Sequence, residues 1–170
     1  MKKRGLALPE NAELVAVEMP PVNPDAPKLP PVAEMAKLTG DATRGATLAA
    51  ACYTCHRTGD TGVDFGPDLT TFGKQQPTEE IIRAIAEPSA AISHGFDGTE
   101  IKTKDGLTIT GMIVADGDLV IMKCMGGLLQ AIPKSRIESR QAMKVSLMYP
   151  PQQFGLDAQA IADIAAFLKK

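Results

Sequence analysis

The chain is 170 residues long, with 44% hydrophobic and 22% charged residues and a formal net charge of −2 at pH 7. That length holds one ordinary domain with room for an arm or an insertion, and the charge balance lacks the basic stripe expected of a nucleic-acid binder. Five Phe, two Tyr and no Trp leave no evident stacking platform, and no run approaches the roughly 20 apolar residues that span a bilayer.

In chain order, residues 1–40 read as a Pro-rich extended arm or linker. Seven of the thirteen prolines fall between Pro9 and Pro31, and proline fixes φ and removes backbone donors. The opening "MKKRGLALPENAEL" is basic, but Pro9 and Glu10 interrupt its apolar run. That run is shorter than the about 7–15 residues of a secretory signal. Either the protein stays inside, or a signal has been removed.

From Asp41 the pattern turns helical. "DATRGATLAAAC" offers Asp41 as an N-cap before an Ala- and Leu-rich run, and Gly45 inside it, at a cost of about 1 kcal/mol, suggests a closely crossing helix. A Gly-, Asp- and Thr-rich loop follows. The segment "TEEIIRAIAEPSAAI" then predicts a helix capped by Thr78 and stopped by Pro88. Between about residues 99 and 138 the period switches to two, with Asp105-Gly106, Asp116-Gly117 and Gly126-Gly127 at the turns. Three or four short antiparallel strands are expected there. The chain ends in "LDAQAIADIAAFLKK", where Ile161, Ile164, Ala165 and Leu168 form one apolar helical stripe. No internal repeat is visible.

The chemistry centres on "ACYTCH", residues 51–56. A thioredoxin-like dithiol needs a βαβ framework around Cys-x-x-Cys, whereas an Ala-rich helix precedes this one. A zinc centre needs a fourth ligand, and Cys124 or His94 would have to supply it from distant segments. A haem accounts for every residue: Cys52 and Cys55 lie about one turn apart to reach two vinyl groups, and His56 follows to ligate the iron.

"GATLAAACYTCH", "GPDLT" and "SLMYP" before a final amphipathic helix together resemble a class I c-type cytochrome. The resemblance implies a mainly α, cytochrome c-like haem domain at 41–170, with a small antiparallel β-meander insertion at about 99–138. The "EPSAAI" segment and that insertion resemble the C-x-x-C-H haem-binding domains frequent in planctomycetes and verrucomicrobia. Those domains often end larger secreted dehydrogenase-like proteins. By this resemblance one haem c is attached through Cys52 and Cys55, and His56 is its proximal ligand. Pro67 supplies the carbonyl that accepts the second N–H of His56, and Gly45 meets Phe167 where the first and last helices cross.

Met148 is the distal ligand on the same grounds, although Tyr149 separates it from Pro150 where the family usually has Met followed by Pro. Met143 and His94 are the other candidates for that position. Met112, Met122 and Met125 read as strand or turn residues, and Cys124 as a small buried hydrophobe.

With both axial positions filled, the implied function is single-electron transfer rather than catalysis. The partners would be a dehydrogenase or quinol-oxidising donor and an oxidase or another cytochrome as acceptor, with no nucleic acid and no membrane span. Covalent haem also implies a periplasmic or otherwise exported protein. The alternative is a haem-based sensor or catalytic haem domain with a displaceable Met148.

Overall fold

Asp41 and Asp157 mark where the two principal helices begin, because each carboxylate pairs backbone donors that a helix cannot satisfy internally. The computed structural model describes residues 13–21 and 23–170; the portion of the expected arm at 1–12 and 22 lies outside them. A single turn, α1 (Val32–Met35), comes first. Helix α2 (Ala42–Leu48) follows, with Asp41 accepting the N–H groups of Thr43 and Arg44 at 2.8 and 3.1 Å. It passes into a 3-10 turn at Ala49–Thr54.

A two-residue hairpin, β1 (Arg57–Thr58) with β2 (Thr61–Gly62), interrupts the long loop. Helices α3 (Phe72–Gln75) and α4 (Thr78–Ala86) come next. The N-cap of α4 is Pro77, one residue before the expected Thr78, and it makes no side-chain bond. At the far end of the chain, Asp157 accepts the Ala160 N–H at 2.8 Å and opens α5 (Ala158–Leu168).

The helices pack on one apolar core of Val32, Met35, Ile81, Ile82, Ile85, Leu156, Ile161, Ile164 and Ala165. Helices α2 and α5 cross at Gly45 as expected. A Cβ there would lie 2.9 Å from the Phe167 Cβ and strike the Asp163 carbonyl, so only glycine permits the approach. Beside the crossing sits Asp163, only 2% exposed. It accepts Arg44 Nε and Nη2 at 2.7 and 3.0 Å, the Asp41 N–H at 2.7 Å and Gln159 Nε2 at 2.9 Å.

Between α4 and α5 lies a five-stranded antiparallel sheet: β3 (Thr99–Thr103), β4 (Thr108–Asp116), β5 (Leu119–Lys123), β6 (Leu129–Pro133) and β7 (Ile137–Ala142). The strand order is β6-β5-β4-β3-β7, so the fifth strand returns to pair with the first. The sheet has its own core of Ile101, Ile109, Val120, Met122, Cys124 and Ile132, to which Leu14 belongs.

Residues ahead of α1 are stitched onto that core. Val17 bridges Ile109 in parallel. Gln130, 5% exposed, accepts the Val15 N–H at 2.8 Å and donates to the Val15 carbonyl at 3.0 Å.

This architecture corrects the expectation of a mainly α fold. Helices take 32% and strands 22% of the described structure, and the sheet has five strands rather than a small meander. The physical reason is that the strands bury an apolar core of their own, separate from the helical one, so the sheet is a second structural layer and not a decorated loop. A third cluster, Phe65, Met112 and Leu147 with Met19, Cys55, Val63, Phe96 and Met143 packed around it, joins the loops flanking the helices to the sheet and the N-terminal segment. The candidate site borders this junction.

Candidate functional site

The 3-10 turn after α2 carries both cysteines. The Cys52 carbonyl accepts the N–H groups of Cys55 at 3.1 Å and His56 at 2.8 Å, which closes one turn and sets the two thiols and the imidazole in immediate succession. Both cysteines are free and partly buried. Burial pushes the Cys52 thiol up from its ordinary range, with the neighbouring Cys55 adding to the effect. A redox dithiol works through a lowered thiol pKa, and burial acts on Cys52 in the other direction.

The returning loop, β1–β2 and residues 63–70, wraps back on that turn. The Val63 N–H donates to the Tyr53 carbonyl, and Phe65 and Gly66 donate to the Cys55 carbonyl at 3.1 and 2.6 Å. Asp68 fixes the loop beyond, accepting Thr70 N–H at 2.7 Å and Arg57 Nη2 at 3.0 Å.

This brings Pro67 to His56. The His56 Nδ1 lies 2.7 Å from the Pro67 carbonyl oxygen. A carbonyl only accepts, so Nδ1 carries the proton and Nε2 keeps its lone pair. Desolvation, partly opposed by the bond to Pro67, lowers the His56 pKa. The ring is therefore a neutral, oriented donor near pH 7, as a metal-ligating histidine requires. Gly66 lies flat against it, and a Cβ at that position would stand 2.5 Å from His56 Cε1 and 2.7 Å from Nδ1.

Across the junction, Met148 sits in a loop held at several points. The Ser146 N–H donates to Ser89 Oγ at 3.0 Å, and the Met148 N–H donates to Ser146 Oγ at 3.0 Å. Leu147 is buried in the same cluster as Phe65 and Cys55. The Tyr149 ring stacks on Phe154 at 6.2 Å between centroids, and its hydroxyl donates to Met125 Sδ at 3.2 Å. Pro150 and Pro151 stiffen the backbone on the C-terminal side of Tyr149.

Cys52, Cys55, His56 and Pro67 thus form one contiguous unit, and Leu147 links the Met148 loop to the cluster beside it. Met143 packs in that cluster but beneath Gly98, with its sulfur 2.9 Å from where a Gly98 Cβ would stand. His94 is exposed in a turn. Cys124 lies in the sheet core, where its sulfur accepts Gln130 Nε2 at 3.6 Å, so it is not a fourth ligand for a zinc centre with Cys52, Cys55 and His56. Among the described residues no three His, Cys, Asp or Glu side chains gather as a metal-ion site.

Sequence reasoning misses Gly66, Tyr149 and Met125 as parts of the site. Gly66 is visible in "GPDL", but Met125 and Tyr149 meet only through the tertiary fold.

The donor set fits a covalently attached haem: two free thiols one turn apart, and a histidine whose tautomer leaves Nε2 for a metal, with Gly66 leaving room for its ring. The sequence model of the cytochrome c family matches residues 42–110, a span that includes Cys52, Cys55, His56 and Pro67. The match supports a c-type cytochrome, and a cytochrome c domain implies a covalently attached haem c. No curated protein matches the chain. Among the described residues no helix is long and apolar enough to cross a membrane.

Proposed function

We infer that the protein is a monohaem c-type cytochrome carrying single electrons between periplasmic redox partners, and that it is not itself an enzyme. The observation that carries this reading is the 2.7 Å contact between His56 Nδ1 and the Pro67 carbonyl. It fixes the tautomer, orients Nε2 and raises the basicity of the imidazole as a ligand.

Cys52 and Cys55 would hold the group through thioether bonds, with His56 and Met148 as axial ligands. When bound, the haem supplies an iron that cycles between Fe(III) and Fe(II). The chain's part is to keep the ligands still. The turn closed on the Cys52 carbonyl and the loop returning to the Cys55 carbonyl leave the proximal side little freedom. A thioether from Met148 would favour the reduced state and raise the potential.

A dehydrogenase or quinol-oxidising complex is the expected donor, with an oxidase or another cytochrome as acceptor. Thioether attachment is made outside the bacterial cytoplasm, which supports export. The insertion and "EPSAAI" favour a likeness to the planctomycete and verrucomicrobial haem-binding domains. A sensor would need Met148 to leave the iron readily; its loop is instead held through Ser89, Ser146, Leu147 and Tyr149.

The test is holoprotein made with haem-attachment machinery. Mass spectrometry after denaturation should retain one haem per chain, and a redox titration should follow a one-electron curve. Loss of the haem on denaturation, or a second haem, would contradict the reading.

A further inference from the structure

The interposed Tyr149 and the inserted sheet meet through one side-chain contact. Tyr149 is partly buried, and a buried phenol O–H usually finds a protein partner. The partner it has is Met125 Sδ at 3.2 Å, on the 3-10 turn Met125–Gly127 between β5 and β6. A thioether is a weak acceptor, so the pairing depends on the sheet delivering the sulfur to that point.

The end of β5 and the same turn also reach the 63–65 loop. Lys123, at the end of β5, pairs with Asp64 at 3.0 Å, and its side chain is only 20% exposed. Gly127 faces Val63, whose Cγ1 lies 3.1 Å from where a Gly127 Cβ would stand. Met112 of β4 packs with Phe65, Leu147 and Cys55. The end of β5 and its turn therefore hold both the 63–65 loop next to His56 and Pro67 and the 146–149 loop next to Met148.

We propose that Met125 is a positioning residue for Met148: by accepting the Tyr149 hydroxyl it fixes the backbone beside the distal ligand, so that the β-sheet sets the distance between the two axial loops. This rests on Met148 being the sixth ligand. The Met-Tyr-Pro sequence is then the site of attachment for the sheet, and not a weakened Met-Pro.

The experiment compares holoprotein of the wild type, Met125→Leu, Tyr149→Phe, the double variant and Met125→Gln. Two quantities are read: the far-red sulfur-to-iron charge-transfer band, and the rate of CO binding to the reduced protein, which rises with the fraction of time the sixth ligand is detached. Met125→Leu keeps volume and removes the acceptor; Met125→Gln supplies a carbonyl acceptor at similar reach.

Loss of one such weak bond should speed CO binding about two- to fivefold and shift or weaken the band. The double variant should do no more than the stronger single one, and Met125→Gln should restore both readouts. A merely structural Met125 would not give rescue by glutamine. Wild-type band and CO rate in both single variants, with the wild type showing the band, would overturn the inference while leaving Met148 ligation intact. Additive effects in the double variant would overturn it too. Absence of the band from the wild type would overturn the Met148 assignment, and the inference with it.

Discussion

Gly66 determines how closely the returning loop can approach the His56 ring. An added Cβ would stand 2.5 Å from Cε1, closer than van der Waals contact permits, while the Gly66 N–H is tied to the Cys55 carbonyl and its neighbour Pro67 to His56 Nδ1. Neither ring nor loop can move without breaking one of those bonds. Gly66→Ala is expected to cost about 1–3 kcal/mol, as overpacking of a rigid site does, and to lower haem incorporation. Thermal melting and haem-to-protein absorbance check this; wild-type values would mean the loop yields freely.

At this scale the grouping of Cys52, Cys55, His56 and Pro67 is legible because the first three lie within five residues and Pro67 lies in the loop that follows, so local spacing carries their relation. Met125 and Tyr149 are 24 positions apart and meet through the folded sheet, and no periodicity announces such a contact.

Among the elements, the α2–α5 crossing depends on an ion pair that the sequence does not advertise. Asp163 lies within the buried stripe of α5, where binary patterning reads a polar residue as an interruption. The structure gives it four hydrogen bonds, from Arg44 Nε and Nη2, Asp41 N–H and Gln159. The Arg44 bond foremost holds its carboxyl well below the usual carboxylate range.

The folded state thus binds that proton less readily than the unfolded one. The stabilisation is complete above about pH 4, the ordinary aspartate range, and is lost as pH falls toward the depressed folded value. Asp163→Asn should cost about 1.5–3 kcal/mol at neutral pH, the range for hydrogen bonds to a charged group. Its stability should also fall less steeply than the wild type's below about pH 4. Urea unfolding at several pH values measures both, and parallel profiles would show that the Asp163 charge does not hold the crossing.

The single turns α1 and α3 fall in segments read as extended arm and loop, but α2, α4 and α5 are readable because their signals are local, such as Asp41 before Ala42 and the 3.6-residue periodicity in α5. Strand β7 is not. Its sequence, Ile137–Ala142, is polar and exposed beyond the first residue, so it shows no alternation, and only its pairing with β3 makes it a strand. The mainly α expectation comes from the cytochrome c resemblance, and the strand pattern, read to about residue 138, does not show that the sheet gains β7 or has a core of its own.

In the whole molecule, two cores meet at a junction, and the N-terminal segment is bound to the sheet through a buried side chain. Gln130 presents an amide to Val15 as a neighbouring strand would, accepting its N–H and donating to its carbonyl. Gln130→Leu would remove both bonds to the exposed Val15 backbone, at a cost of about 0.5–1.5 kcal/mol for each. Proteolysis should then cut near residues 13–19 faster than in the wild type while the helical core resists; equal cutting would mean the segment is held by Leu14 and Val17 alone.

Whether one haem is held between His56 and Met148 is decided by a single optical experiment on the holoprotein. Oxidised wild type should give a low-spin spectrum with the weak far-red sulfur-to-iron band. In Met148→Ala the band should vanish, the potential should drop, and the reduced form should bind CO readily. Absence of the band from the wild type, or its persistence in Met148→Ala, would contradict His56/Met148 ligation.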